Sequence, residues 1–275
     1  MAGMLYLVPT PIGNLSDISP RCRQTLAEAD FIAAEDTRVC LKLLNHLELK
    51  KSRVSDHEHN KAESGEKILA RLLAGETCAL VTDAGSPAIS DPGEDLVWLC
   101  AEHGVTVCAI PGPCALVTAL SISGLPTGRF TFEGFLSVNK KSRQEHLTGL
   151  KDETRTMIFY EAPHKLLATL QDLSAAFGAE RRISLCRELT KLHEETVRTT
   201  LAEAAAYYRD NEPRGEYVLV VAGREKQDSA MTLEEGIALV RRLRDEGMKL
   251  KDAARRVADD TGLSRNALYD GALKG

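Results

Sequence analysis

Short apolar or β-branched runs recur along the chain at 5–8, 31–34, 77–81, 105–110, 156–159, 182–186 and 217–221, with helical patterns between them. This alternation constrains the fold more than any other feature. Strands separated by helices pair under helical cover, so an α/β architecture with largely parallel sheets is expected. The helical stretches carry their own signals. "SPRCRQTLAEAD" opens with Ser19 as N-cap and Pro20 at the first helical position, where a missing N–H costs nothing. "AESGEKILARLLAG" places Ile68, Leu69, Leu72 and Leu73 on one face, and "HKLLATLQDLSAAFG" stops at Gly178.

The alternation breaks at "ISGLPTGRF", so the chain divides there: residues 1–122 as a first α/β domain and 123–225 as a second. Residues 224–230, "REKQDSA", read as a linker, and 226–275 as a helical extension. In the extension "AARRVADDTGLSRNALYDGAL" fits a helix-turn-helix. Ala254 and Val257 face inward, Gly262 makes the turn, and Leu263 and Leu268 pack back. A nucleic-acid role for it requires Arg241, Arg242, Arg244, Lys249, Lys251, Arg255 and Arg256 to gather on one face. Otherwise these are solvated helix charges.

Four loops after the strand runs are dense in proline and glycine: "PTPIGNLSD" (9–17), "DAGSPAISDPG" (83–93), "PGPCALVTALSISG" (111–124) and "YEAPHK" (160–165). In an α/β sheet, ligands bind beyond the carboxyl ends of the strands. Glycine lets a ligand approach the backbone, and proline sets the loop's path before binding. Four such loops imply a lined cleft. There is no GxGxxG after the first run and no GxxxxGK[ST], so phosphate cradling by those devices is not expected. The seven cysteines include no CxxC, and four lie in apolar runs. Reduced thiols in a cytoplasmic protein are therefore expected. No apolar stretch is long enough to span a membrane. No metal site is expected either; His57 and His59 in "SDHEHN" read as a polar loop. The net charge of −5 means that any nucleic-acid contact has to come from a local patch.

"LVPTPIGNLSDIS", "AAEDTR", "DAGSPAISDPG", "IPGPCALVTALSISGLP", "YEAPHK" and "GEYVLVVAG", in that order over residues 5–223, together resemble the tetrapyrrole-methylase superfamily, and more closely its ribosomal-RNA branch. The resemblance implies two α/β domains of tetrapyrrole-methylase type with the cofactor cleft between them, plus the small helix-turn-helix-like extension. It implies a homodimer with S-adenosyl-L-methionine as methyl donor. The implied acceptor is a cytidine ribose 2′-hydroxyl in the decoding region of 16S rRNA, on the assembled small subunit. Carried over motif by motif, it assigns cofactor contacts to Pro11, Asp83, Gly85, Ser86, Pro87, Ser121, Ile122, Tyr160, Ala162, Leu189 and Tyr217. The "DAGSP" order departs from the superfamily's commoner Gly-Asp-Pro-type loop, so backbone contacts are expected there.

Direct methyl transfer needs no covalent nucleophile from the protein. It needs alignment of the reacting atoms and a proton acceptor for the hydroxyl. The candidates for that acceptor are Glu35, Asp36 and Glu161, with His164 as a further one. Glu35 and Asp36 also fit N-capping of the next helix and pairing with Arg38. RNA contacts are assigned to Asn14, Arg38, Lys140, Lys141, Arg143, Lys165 and Lys191. Arg21, Lys42 and Arg187 are further basic residues near the expected cleft. Two alternatives stay open: a precorrin-type tetrapyrrole acceptor, and a non-catalytic ligand-sensing regulator.

Overall fold

The computed structural model describes residues 2–55, 61–225 and 231–273. Two compact units emerge, Met1–Arg224 and Glu225–Gly275.

The first half of the larger unit alternates β1 (Met4–Leu7), α1 (Pro20–Glu28), β2 (Phe31–Ala34), α2 (Thr37–His46), β3 (Ser52–Ser55), α3 (Lys61–Leu73), β4 (Cys78–Val81), α4 (Glu94–Glu102) and β5 (Thr106–Ala109). The five strands form one wholly parallel sheet in the order β3-β2-β4-β1-β5. Side chains alternate through it as a pleat requires. Ile32, Ala34, Ala79 and Val81 pack with Leu26 and Leu44 on one face. Phe31, Ala33, Cys78 and Leu80 pack with Ile68, Leu72 and Leu96 on the other. Both faces are covered, which is why "FIAA" and "CALV" are apolar throughout. Each fully buried leucine or phenylalanine contributes ~2 kcal/mol.

The second half runs α5 (Ala115–Ile122), β6 (Phe130–Phe135), α6 (Lys140–Gly149), β7 (Thr156–Glu161), α7 (Leu166–Phe177), β8 (Arg182–Arg187), β9 (Glu195–Thr200), α8 (Leu201–Asp210) and β10 (Tyr217–Val221). Its sheet order is β6-β7-β10-β8-β9. The expectation of parallel pairing fails here. β6 and β7 are parallel, but β10 is antiparallel to both β7 and β8, and β8 is antiparallel to β9. The cause is that β8 returns directly as β9 with no crossover helix, which reverses the chain, and α8 then delivers β10 between β7 and β8. As a result the amino end of β10 lies at the same edge as the carboxyl ends of β7 and β8. α5 packs its Leu116, Ala119 and Leu120 on Ile158, Cys186, Val218 and Val220 of this sheet.

Three strands are absent from the expected set: β3, β6 and β9. All three are edge strands. "SRVS" and "ETVRTT" bury little, and neither carries an apolar run to mark it.

The smaller unit contains α9 (Leu233–Asp245), α10 (Leu250–Thr261) and α11 (Arg265–Leu273). Thr232 and Glu235 form a capping box ahead of α9. Val240, Ala254, Val257, Leu268 and Ala272 make its core, with Leu263 packed against it. Gly262 ends α10 in the left-handed conformation. Among the described residues no helix is long and apolar enough to cross a membrane.

Candidate active site

A cavity of about 420 Å³ opens at the carboxyl ends of the strands in the larger unit. Each of the four Pro/Gly-rich loops contributes to it. Ile12 comes from the loop after β1. Ala84, Gly85, Ser86, Ile89, Ser90 and Asp91 come from the loop after β4, and Cys114 and Ala115 from the start of α5. The second sheet supplies Phe135, Tyr160, Glu161, Ala162, Pro163, Leu189, Glu216, Tyr217 and Val218.

Backbone hydrogen bonds hold the loops together. Thr10 and Gly85 exchange a pair, Thr10 N to Gly85 O at 2.9 Å and Gly85 N to Thr10 O at 3.0 Å. Gly85 has φ +89°, which a side chain would strain. The Ser86 hydroxyl donates to Pro113 O at 2.9 Å, joining the loop after β4 to the one before α5. Leu189 enters the cavity between Glu188 (φ 51°) and Thr190 (φ 66°). Ile89 enters between Ala88 (φ 65°) and Ser90 (φ 62°). Four non-glycine residues in this region each cost about 1 kcal/mol or more, and such strain concentrates at binding sites.

Tyr160 forms a wall. Its ring meets Phe132 and Phe135 edge-on, with centroids 5.0 and 5.6 Å away. Strand alternation would put residues 132 and 135 on opposite faces; a bulge between Phe132 and Gly134 brings both to the same side. Burial holds the Tyr160 phenol protonated well above its ordinary range.

Among the assigned cofactor residues, Gly85, Ser86, Tyr160, Ala162, Leu189 and Tyr217 line this cavity. Pro11, Asp83, Pro87, Ser121 and Ile122 do not. Asp83 instead accepts the Asp36 N–H at 3.2 Å, tying the loop after β4 to the start of α2. Ser121 donates back to Val117 O within its own helix, and the Ile122 carbonyl accepts from Arg198. The smallness of Ser121 and the apolarity of Ile122 serve α5 packing as well as they would serve a ligand.

The proposed proton acceptors separate clearly. Asp36 caps α2 and is ion-paired with Arg38 at 2.7 Å. That pairing holds its carboxyl down at about 2. Glu35 lies at the end of β2, half-buried and outside the lining. Glu161 lines the cavity, but both of its oxygens are engaged. One accepts its neighbour Ala162 N at 2.9 Å and the other accepts the Thr169 hydroxyl. Thr169 in turn accepts from Arg143 at 3.1 Å, and Arg143 pairs with Asp172 at 2.7 Å. Glu161 therefore positions the loop after β7. His164 is exposed on the turn before α7. Asp91, which sequence reasoning missed, also lines the cavity. Burial and the nearby Glu35 and Asp83 carboxylates push it up to about 6. Its only sequence signal was an acid inside a loop already singled out.

Among the assigned RNA contacts, Lys140 and Lys141 are exposed at the start of α6. The Arg38 side chain is 87% exposed even while paired. Lys165 lies on the turn before α7. Asn14 caps the short turn at Leu15–Asp17 through Ser16 N. Arg143 is a correction: it is buried and held by Thr169 and Asp172, because α6 packs this face on α7. Lys191 is neutralised between Glu188 and Glu216 at 2.8 and 2.9 Å. His57 and His59 lie outside the described residues. Among the described residues no cluster of three or more His, Cys, Asp or Glu is placed to hold a metal ion.

Among the described residues, the lining carries three carboxylates and no lysine or arginine. Such a wall repels phosphate and suits a cation with an apolar body, which fits an adenosyl sulfonium. The family described as tetrapyrrole (corrin/porphyrin) methylases matches residues 4–205, and an RsmI C-terminal HTH domain matches residues 230–275. The larger unit is thus a methylase of the tetrapyrrole-methylase class, the tail is a helix-turn-helix domain, and S-adenosylmethionine is the methyl donor. A ribosomal RNA small subunit methyltransferase I from a Synechocystis species is 48% identical over 273 residues, covering 99% of this chain and 98% of that one. One from Halalkalibacterium halodurans is 46% identical, covering 98% and 94%. The chain belongs to the ribosomal RNA small subunit methyltransferase I family. In fold it is similar to a uroporphyrin-III C-methyl transferase from Thermus thermophilus solved with S-adenyl homocysteine, with TM-score 0.56 and 20% identity over 81% of this chain and 98% of that one.

Proposed function

We propose that this enzyme transfers a methyl group from S-adenosylmethionine to the ribose 2′-hydroxyl of a cytidine in the decoding region of 16S rRNA. It acts as a cytoplasmic homodimer on the assembled small subunit. The observation that carries this reading is the match to relatives named for small-subunit rRNA methylation along nearly the whole chain, tail included. A tetrapyrrole methylase would need the α/β unit alone.

When bound, the cofactor supplies a methyl group already activated on a sulfonium. The chain's own residues supply position and exclusion of water. Gly85, Ala162 and the backbone around them allow close approach, while Tyr160, Leu189 and Tyr217 offer apolar surface. Alignment of this kind is worth roughly 7–11 kcal/mol of barrier. Contacts from Lys140, Lys141 and Arg38 to phosphate position the RNA without reading its sequence. The shape of the subunit then provides the selectivity.

The test compares labelled methyl transfer from the cofactor to 30S particles, to free 16S rRNA and to a porphyrinoid. Transfer to the particles well above free RNA is expected. Equal rates on free RNA would remove the assembled-subunit requirement, and label on the porphyrinoid alone would overturn the RNA reading.

A further inference from the structure

Among the described residues, Asp91 is the carboxylate of the cavity without a hydrogen bond or ion pair. The other two acids in the lining are committed: Glu161 to Ala162 N and Thr169, and Glu216 to Lys191. The loop that carries Asp91 is held tightly. Ala88 N donates to Pro92 O at 3.3 Å, closing a turn around it. Gly93 follows at φ +126°, where an added Cβ would lie 2.6 Å from Leu80 Cδ2. The preceding Ala88 and Ser90 are both in the left-handed region. Strain of this kind persists only where the surroundings over-determine it. The loop spends stability to present one half-buried carboxylate at a wall facing the aromatic side of the second sheet.

We propose that Asp91 is the proton acceptor for the hydroxyl that is methylated. The role rests on the 2′-O-methylation reading above. As the acceptor oxygen attacks, the O–CH3 bond forms and the S–CH3 bond breaks. The sulfur keeps that electron pair and leaves as a neutral thioether. The hydroxyl proton passes to a carboxylate oxygen of Asp91 and is then lost to solvent. No further reagent is needed. Burial raises Asp91's proton affinity most, and Glu35 at the end of β2 and Asp83 in its own loop raise it further. Arg38 faces Asp83. Tyr160 stands on β7 across the cavity as a neutral phenol. An acceptor poised near neutrality is the arrangement that general-base transfer favours.

The test pairs Asp91→Asn with Asp91→Glu in the full-length enzyme. It measures single-turnover methyl transfer to 30S particles from pH 5 to 9, and affinity for S-adenosylhomocysteine by calorimetry. Asp91→Asn should slow transfer by about 10²–10⁴-fold, remove the acid limb of the pH profile, and leave product affinity within about threefold. Asp91→Glu should recover part of the rate and a shifted limb. Wild-type-like rates and an intact limb in Asp91→Asn overturn the role. So does a loss of S-adenosylhomocysteine affinity that matches the loss of rate, which would make Asp91 a cofactor-holding residue. Failure of the wild-type enzyme to label the particles at all overturns the RNA reading and this role with it.

Discussion

The phenolic oxygen of Tyr160 accepts the backbone N–H of Leu116 at 3.1 Å. Leu116 is the second residue of α5, and the N-cap residue Cys114 makes no side-chain cap bond. A cavity wall on the second sheet therefore caps the helix that follows the loop after β5. One side chain serves both packing and ligand space.

Replacing Tyr160 with Phe keeps the edge contacts to Phe132 and Phe135 but leaves Leu116 N–H without its acceptor. A loss of about 1 kcal/mol in urea unfolding is expected, with S-adenosylhomocysteine affinity changed less than about threefold. Replacing it with Leu should lower both.

Arg143 and the Lys140–Lys141 pair should separate stability from RNA binding. Arg143→Met strips the buried network around Thr169 and Asp172. It should cost about 2–4 kcal/mol, somewhat less than a fully enclosed pair because Asp172 is partly open. Lys140→Ala with Lys141→Ala should leave the unfolding curve unchanged. It should weaken binding to 30S particles and lower the salt slope by about one for each phosphate that is no longer neutralised.

Asp91 makes stability depend on pH in a stated direction. In the unfolded chain it titrates near the ordinary 3.8, and in the folded enzyme at about 6. Between these values the folded state keeps a proton that the unfolded state has lost. Stability therefore falls as pH rises through this window and stays low above it. Asp91→Asn escapes that penalty. It should be more stable than wild type by about 1 kcal/mol at pH 8, after allowance for screening at a half-exposed site. The difference should vanish near pH 4. Thermal melts across this range check it.

Gly85→Ala forces a Cβ into a left-handed position next to Ile12 and Pro113 O. Space is adequate, so the cost is backbone strain of about 1–2 kcal/mol. The Thr10–Gly85 bridge should loosen, and calorimetry should show S-adenosylhomocysteine binding weakened several-fold.

Residues packed on both sides were readable in the chain. β2 and β10 begin and end where their apolar runs do, at Phe31–Ala34 and Tyr217–Val221. A strand covered on both faces must be apolar throughout, and that signal is local. β3 and β9 were not readable because each buries little and carries no apolar run, whereas β5, also at an edge, was readable from its own apolar run. The cleft was visible as four loops rich in Pro and Gly, and six of the assigned contacts line the cavity. Asp91 and Phe135 were not visible. One needed burial and the Glu35 carboxylate brought in from the end of β2. The other needed a bulge that breaks strand alternation.

By itself, the order of residues determined the alternation of elements, the buried strands and the stiff loops at their ends, since propensity and hydrophobic period act over a few residues. Tertiary structure decided the antiparallel entry of β10, the inward fate of Arg143 and the choice of Asp91 over Asp36 as the open carboxylate. Charge and proton affinity depend on what stands within a few ångströms in space. For Arg143 those neighbours, Thr169 and Asp172, lie far along the chain, and for Asp91 so does Glu35.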